Sequence, residues 1–298
     1  MIIESNAIEM LNEHFDELEQ KGIVLPNFNN SSEIIIISDY SGERREDTFN
    51  AYSFLVLDKA SYLKVIPAIQ KLRAQEPEWK DNSFMEYKKI KRDRVRLRVL
   101  KDFIRLIDDV NGLLFNVLLD KESFDFFQKV TDEDLKEMKE KKYGEWKKHI
   151  FQKSINILYI ISFLMKRFSS EKNHLTWYSD KDDIFGANQA QVENTLDILS
   201  VFLNKFEVKS KDNTVTFFSD SDMSPDSDFM SIVDLSAGSL LEYHQNSHEN
   251  FDNYSEITKT TYLWTFLNFY RLKKISIICK VDSENKTLVG LESLVRDI

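Results

Sequence analysis

Ile34-Ile35-Ile36-Ile37-Ser38-Asp39-Tyr40-Ser41-Gly42 is the stretch whose reading decides the fold. A run of β-branched apolar residues with no polar position reads as a strand buried on both faces. Such a strand needs helices packed on both sides of its sheet, which predicts an α/β protein. The run closes in a polar turn, Ser38 to Glu43, and places Asp39 where the strand ends.

Outward from this strand, residues 50–57 read as its neighbour, and 113–119, 175–179, 214–218 and 274–281 as further strands. Apolar residues at helical spacing predict helices over 6–21, 60–74, 91–110, 147–168, 187–206, 229–243 and 255–270. Residues 83–88 are ambiguous and admit a short strand, 122–146 are charged helix or loop, and 219–228 read as a Ser/Asp loop. The expectation is one domain over 1–298. Its core covers about 33–243, with an N-terminal helix at 6–21 and a helix/strand extension at 255–298.

Composition agrees with a large core: 42% of residues are hydrophobic and 22 are Phe, while 7 Gly and 4 Pro leave little for flexible linkers. The lone Cys279 excludes a disulfide framework or a cysteine zinc site within the chain, and its apolar run predicts a buried strand residue. A net charge of −10 argues against an indiscriminate nucleic-acid coat, though not against a local basic track. Met1 to Met10 lacks a basic start followed by an apolar run. The most apolar segment, Ile155 to Met165, falls short of the roughly 20 residues of a membrane span. The expectation is a cytoplasmic protein without a membrane partner.

Three predicted strands end in an acid: Asp39, Asp120 and Asp180. Chemistry in open α/β sheets sits beyond strand ends, and hard divalent cations prefer carboxylate oxygens. One such acid is usually a turn residue. Several that converge would repel one another unless a cation neutralised them.

The order of these pieces resembles the domain-of-unknown-function 3800 family. Asp39-Tyr40-Ser41-Gly42 is similar to its opening Asp-Glu-Ser-Gly, and Met85-Glu86-Tyr87-Lys88 to its Glu-containing motif. Leu118-Leu119-Asp120-Lys121 resembles its strand-ending Asp-Lys, Tyr178-Ser179-Asp180 the next strand end, and Ile232 to Gly238 its closing helix. The resemblance spans about residues 34–243. It implies an α/β fold with an RNase H-like mixed central sheet flanked by helices, carrying extra helical insertions. It also implies Mg2+ or Mn2+ held by Asp39, Glu86, Asp180 and Asp234, and phosphodiester hydrolysis. The third ligand stays open among Asp180, Asp182 and Asp183. Asp120 is expected nearby, with Ser41 and Lys121 supporting the ligands from outside or touching phosphate. Tyr40 replaces the family's acid and Val233 its usual Ala. In an extended strand Tyr40 points away from Asp39.

Lys88, Lys89, Lys91, Arg92, Arg94 and Arg96 begin just after Glu86 and read equally as a phosphate-backbone track or as a solvated helix face. His244 and His248 have helical spacing, but Asn246-Ser247 favours a solvated loop. The aromatics Tyr262, Trp264, Phe266, Phe269 and Tyr270 favour core packing over base stacking. Two functions follow. One is a metal-dependent nuclease or related phosphodiesterase. The other is a non-catalytic scaffold whose added helices bind a protein partner, in a bacterial defence or mobile-element system.

Overall fold

The structure is a computed structural model and describes residues 6–76, 79, 85–180, 184, 189–208, 213–218, 226–246, 250–268, 270–282 and 285–290. The isoleucine run lies in β1 (Glu33–Ser41), which pairs antiparallel with β2 (Phe49–Asp58) and parallel with β4 (His174–Asp180). β3 (Gly112–Asp120) continues the antiparallel meander, and β5 (Asn213–Phe218) lies parallel beyond β4. β6 (Leu272–Asp282) runs parallel to β3, and β7 (Asn285–Gly290) closes the far edge antiparallel. The result is a mixed seven-stranded sheet in the order β5-β4-β1-β2-β3-β6-β7. With helices on both faces, it is the RNase H-like α/β architecture expected from the sequence.

Alternation along β1 assigns the layers. Ile34, Ile36 and Tyr40 enter one core, packed by α1 (Asn6–Gln20), α6 (Lys148–Phe168) and α7 (Gln189–Lys205). Ile35 and Ile37 enter the other, under α2 (Lys59–Gln75), α4 (Arg94–Asp108) and α8 (Asp226–Gln245). Each isoleucine is at most 2% exposed, so each contributes roughly 2 kcal/mol of burial. α6 is apolar nearly all round because it is covered nearly all round, and no helix among the described residues is long and apolar enough to cross a membrane.

Gly42 closes the β1–β2 hairpin with φ +102°, and a Cβ there would lie 2.2 Å from the Phe49 carbonyl oxygen, so the turn needs glycine.

Several expectations need correction. Residues 85–86 are not strand, and 87–90 form a short helix, α3 (Tyr87–Ile90). Asp93 then caps a separate α4 by accepting from the Val95 and Arg96 amides, so the helix expected over 91–110 begins three residues later. The charged stretch 122–146 contains α5 (Asp132–Glu140), opened by a Thr131/Asp134 capping box. α8 starts at Asp226, inside the stretch read as a loop, and α9 (Glu256–Trp264) ends earlier than expected. β7 had no predicted counterpart. Cys279 is a fully buried strand residue.

A buried ion pair ties the C-terminal extension to the core. Lys274 on β6 lies 2.6 Å from Asp108 of α4, the Trp264 indole donates to the same carboxylate, and the Lys274 ammonium also reaches the Leu267 carbonyl.

Candidate functional site

A row of polar residues crosses the apolar sheet at one level. Asp39 pairs with Ser53, Ser53 with Asn116, and Asn116 with Ser276. On the other side Ser38 pairs with Ser179, which brings Asp180 to the level of Asp39. The Ser53 hydroxyl donates to Asn116 Oδ1 at 2.7 Å, and the Asn116 amide donates to Ser276 Oγ at 3.1 Å. Ser236 of α8 donates to the same Asn116 oxygen at 2.7 Å. A buried amide with these partners is satisfied only when α8 sits at one rotation over the sheet.

Asp39 and Asp234 share a hydrogen bond. Two carboxylates can do so only if one keeps a proton. Burial, and then the Asp234 and Asp180 carboxylates, push Asp39 well above the usual carboxylate range, although the Tyr40 amide donates to it. Asp234 is raised to about 6, mainly by burial and further by Glu86, while the Tyr87 amide, the Asp39 hydrogen bond and Lys88 oppose the rise. The pair therefore keeps one proton between its two carboxylates well above the usual carboxylate range. Asp180 thus lies close enough to perturb Asp39, and Glu86 close enough to perturb Asp234.

Glu86 arrives on a segment laid along α8. The Met85 amide donates to Ser231 Oγ at 2.9 Å and the Tyr87 amide to Asp234 Oδ2 at 2.5 Å. The Tyr87 hydroxyl reaches Glu242 and Thr258, each at 3.0 Å. Lys89 pairs with the Glu86 carboxylate.

No family model matches this chain, and neither does any curated protein or any solved structure. The chemistry of the site is therefore argued from its own residues.

All the assembled donors are carboxylate oxygens, the ligand type that suits Mg2+ or Mn2+. The shared proton of Asp39 and Asp234 sits where a bridging cation would supply positive charge instead. By donor type and charge the set fits such an ion. Among the described residues no three His, Cys, Asp or Glu side chains are already arranged to hold one. Asp182 and Asp183, the alternatives to Asp180, lie outside the described residues.

Other predicted site residues are placed elsewhere. Asp120 pairs with Phe49, four positions beyond Ser53 on β2, which sets it about 13 Å further along the sheet than Asp39. It caps the turn at Lys121–Ser123 by accepting from the Glu122 amide, and so does not join the cluster. Lys121 is half-buried and bonds the Arg44 carbonyl. Ser41 ends β1, two residues beyond Asp39 and paired with Ala51. Tyr40 faces the opposite layer, where its hydroxyl bonds Ser38 at 2.7 Å and Ser179 at 3.2 Å.

The basic tract divides. Arg96 pairs with Asp93 on the helix cap, and Lys91 pairs with Glu242 over the Tyr87 ring. Lys88, Arg92 and Arg94 are exposed, and Lys88 is near enough to Asp234 to lower its pKa. His244 is not in a solvated loop. It lies in the last turn of α8 among Phe49, Tyr243 and Tyr262, and burial, then Lys280, lowers its pKa to about 4. His248 and Phe269 lie outside the described residues. Trp264 is core, and Tyr262 stacks on Tyr243 at 3.8 Å.

The residues that sequence reasoning missed are Ser53, Asn116, Ser276 and Ser236. The signal was present: one polar residue sits inside each of Ala51-Tyr52-Ser53-Phe54-Leu55, Leu114-Phe115-Asn116-Val117-Leu118 and Ile275-Ser276-Ile277.

Proposed function

We propose that the chain is a divalent-cation-dependent phosphodiester hydrolase acting on nucleic acid. The observation that carries this reading is the Asp39–Asp234 pair, with Asp180 and Glu86 raising its pKa values further. A protein gains no stability from gathering like charges in a half-buried site, so such an arrangement points to a functional use. Asp39, Asp234, Glu86 and Asp180 would hold Mg2+ or Mn2+. Bound there, such ions supply an activated water and charge stabilisation for a leaving oxygen. The Ser236–Asn116 hydrogen bond ties α8, which carries Asp234, to the sheet that carries Asp39. Lys88, Arg92 and Arg94 offer positive charge beside the acids, suited to a phosphate backbone. The resemblance to the domain-of-unknown-function 3800 family supports the same assignment. Tyr40, which stands where the family has an acid, points into the other layer, so its identity does not bear on the ligand set.

The test is hydrolysis of single- and double-stranded DNA and RNA with Mg2+, Mn2+ or EDTA, comparing wild type with Asp39→Asn and Asp234→Asn. Metal-dependent cleavage lost in both variants supports the reading. Absence of cleavage on all four substrates counts against it, as does cleavage that both variants retain.

A further inference from the structure

Glu86 is the one member of the set that comes from neither a strand end nor α8, and within its own short element only the exposed Lys89 ammonium holds its carboxylate. α3 spans only Tyr87–Ile90, and Glu86 makes no side-chain cap bond to it. The segment is held from outside, by a single stripe of α8. Ser231, Asp234, Gly238 and Glu242 are spaced by three, four and four residues and so lie on one helix face. Ser231 takes the Met85 amide, Asp234 takes the Tyr87 amide, and Glu242 takes the Tyr87 hydroxyl and the Lys91 ammonium.

Gly238 is the position in this stripe where the contact is packing rather than a hydrogen bond. A Cβ there would lie 2.5 Å from Tyr87 Cδ1, 2.6 Å from Cγ and 2.9 Å from Cβ. The last of these atoms is the root of the side chain. A rotamer change cannot clear it, and the backbone of residues 86–88 would have to move. Gly238 lies in the interior of α8, where glycine is unfavourable for the helix itself. Its use there has a local reason: it lets the Tyr87 ring lie flat on the helix.

We infer that Gly238 is a positioning residue: by admitting the Tyr87 ring against α8 it sets the depth at which Glu86 is presented to the Asp39–Asp234 pair. The inference rests on the metal-site reading of that pair. Glu86 acts on the cation, Tyr87 carries Glu86, and Gly238 determines where Tyr87 can sit.

The test is Mn2+ titration by calorimetry of the full-length chain, with apo stability measured in parallel by urea. Gly238→Ala should raise the Mn2+ dissociation constant about tenfold or more, in line with the effect of losing a ligand's outer support. Its apo urea midpoint should change little, because alanine favours the helix while the shifted segment loses packing. Glu86→Gln gives the reference loss. In the double variant the two losses should not add, because Gly238 acts through Glu86. If Gly238→Ala does not fold, Tyr87→Leu, which removes the ring and leaves the glycine, should show the same weakened affinity and the same lack of additivity with Glu86→Gln. Wild-type affinity in the Gly238 or Tyr87→Leu variant would overturn the positioning role alone. So would losses that add to that of Glu86→Gln. A wild type that binds no Mn2+ would remove the metal-site reading, and the positioning role with it.

Discussion

Asp39→Asn removes one titrating carboxylate from the shared-proton pair while keeping the shape of the side chain. In wild type without metal, Asp39 keeps its proton well above the pH at which an unfolded aspartate loses it, because burial and the Asp234 and Asp180 carboxylates oppose its ionisation. The sign follows from linkage. A carboxylate whose folded pKa is raised is most stabilising at low pH, and that stability is lost as pH rises above the unfolded value. While the folded state holds this one extra proton, wild type loses up to about 1.4 kcal/mol per pH unit at this residue. Asparagine does not titrate, and its amide can still donate to Asp234. The stability difference, variant minus wild type, should therefore grow as pH rises above the unfolded carboxylate range, by up to about 1.4 kcal/mol per pH unit while the folded pair keeps its proton. In a chain of this size that is up to about 2 °C in melting temperature per pH unit. The assay is thermal unfolding in EDTA across that window. A difference that stays flat, or shrinks as pH rises, would refute the shared-proton account of the pair.

Asp234 should show the same sign. Its pKa is raised from 3.8 to about 6, so Asp234→Asn should flatten the wild-type stability profile as pH rises from about 4 to 7, and because the two carboxylates share a proton this effect should not add to that of Asp39→Asn. Tyr40→Phe should cost about 1 kcal/mol in urea unfolding by removing the hydroxyl bonded to Ser38 and Ser179, with no change in Mn2+ affinity. Asp108→Ala leaves the buried Lys274 ammonium unpaired and should cost about 3–5 kcal/mol in the same assay. Replacing Lys88, Arg92 and Arg94 together with Gln should lower the slope of log affinity against log salt on duplex DNA by up to about 2.7, at about 0.9 per lost phosphate contact, whereas an unchanged slope assigns them to solvent.

Most of the sheet was legible because its strands are buried on both faces and so write long apolar runs. β7 was not. Asn285 to Gly290 is an edge strand with Leu288 partly buried against the core and Val289 exposed, and so short a strand with so little burial carries no such run. The 83–88 region misled because Met85 and Tyr87 alternate like a strand, although both are buried against α8, where the Met85 amide bonds Ser231 and Tyr87 bonds Asp234 and Glu242 and packs on Gly238. The Asp93 cap that splits the helix expected over 91–110 carries an ordinary capping signal, which the dense positive charge around it obscured. At the site, alternation in β1 correctly turned Tyr40 away from Asp39. Asp120 could not be placed the same way, since its distance from Asp39 depends on the register of β2 between them, which sequence does not state. The buried polar row was written in the strands, but its meaning needs the register that aligns Ser53, Asn116 and Ser276.

The central claim is that Asp39, Asp234 and Glu86 hold a divalent cation. The most direct measurement is an anomalous difference map from crystals soaked in Mn2+. The account predicts a peak between the Asp39 and Asp234 carboxylates within Mn–O bonding distance of both, absent in Asp39→Asn crystals treated alike. A well-ordered site with the two carboxylates still sharing a proton, and no peak between them, would contradict it.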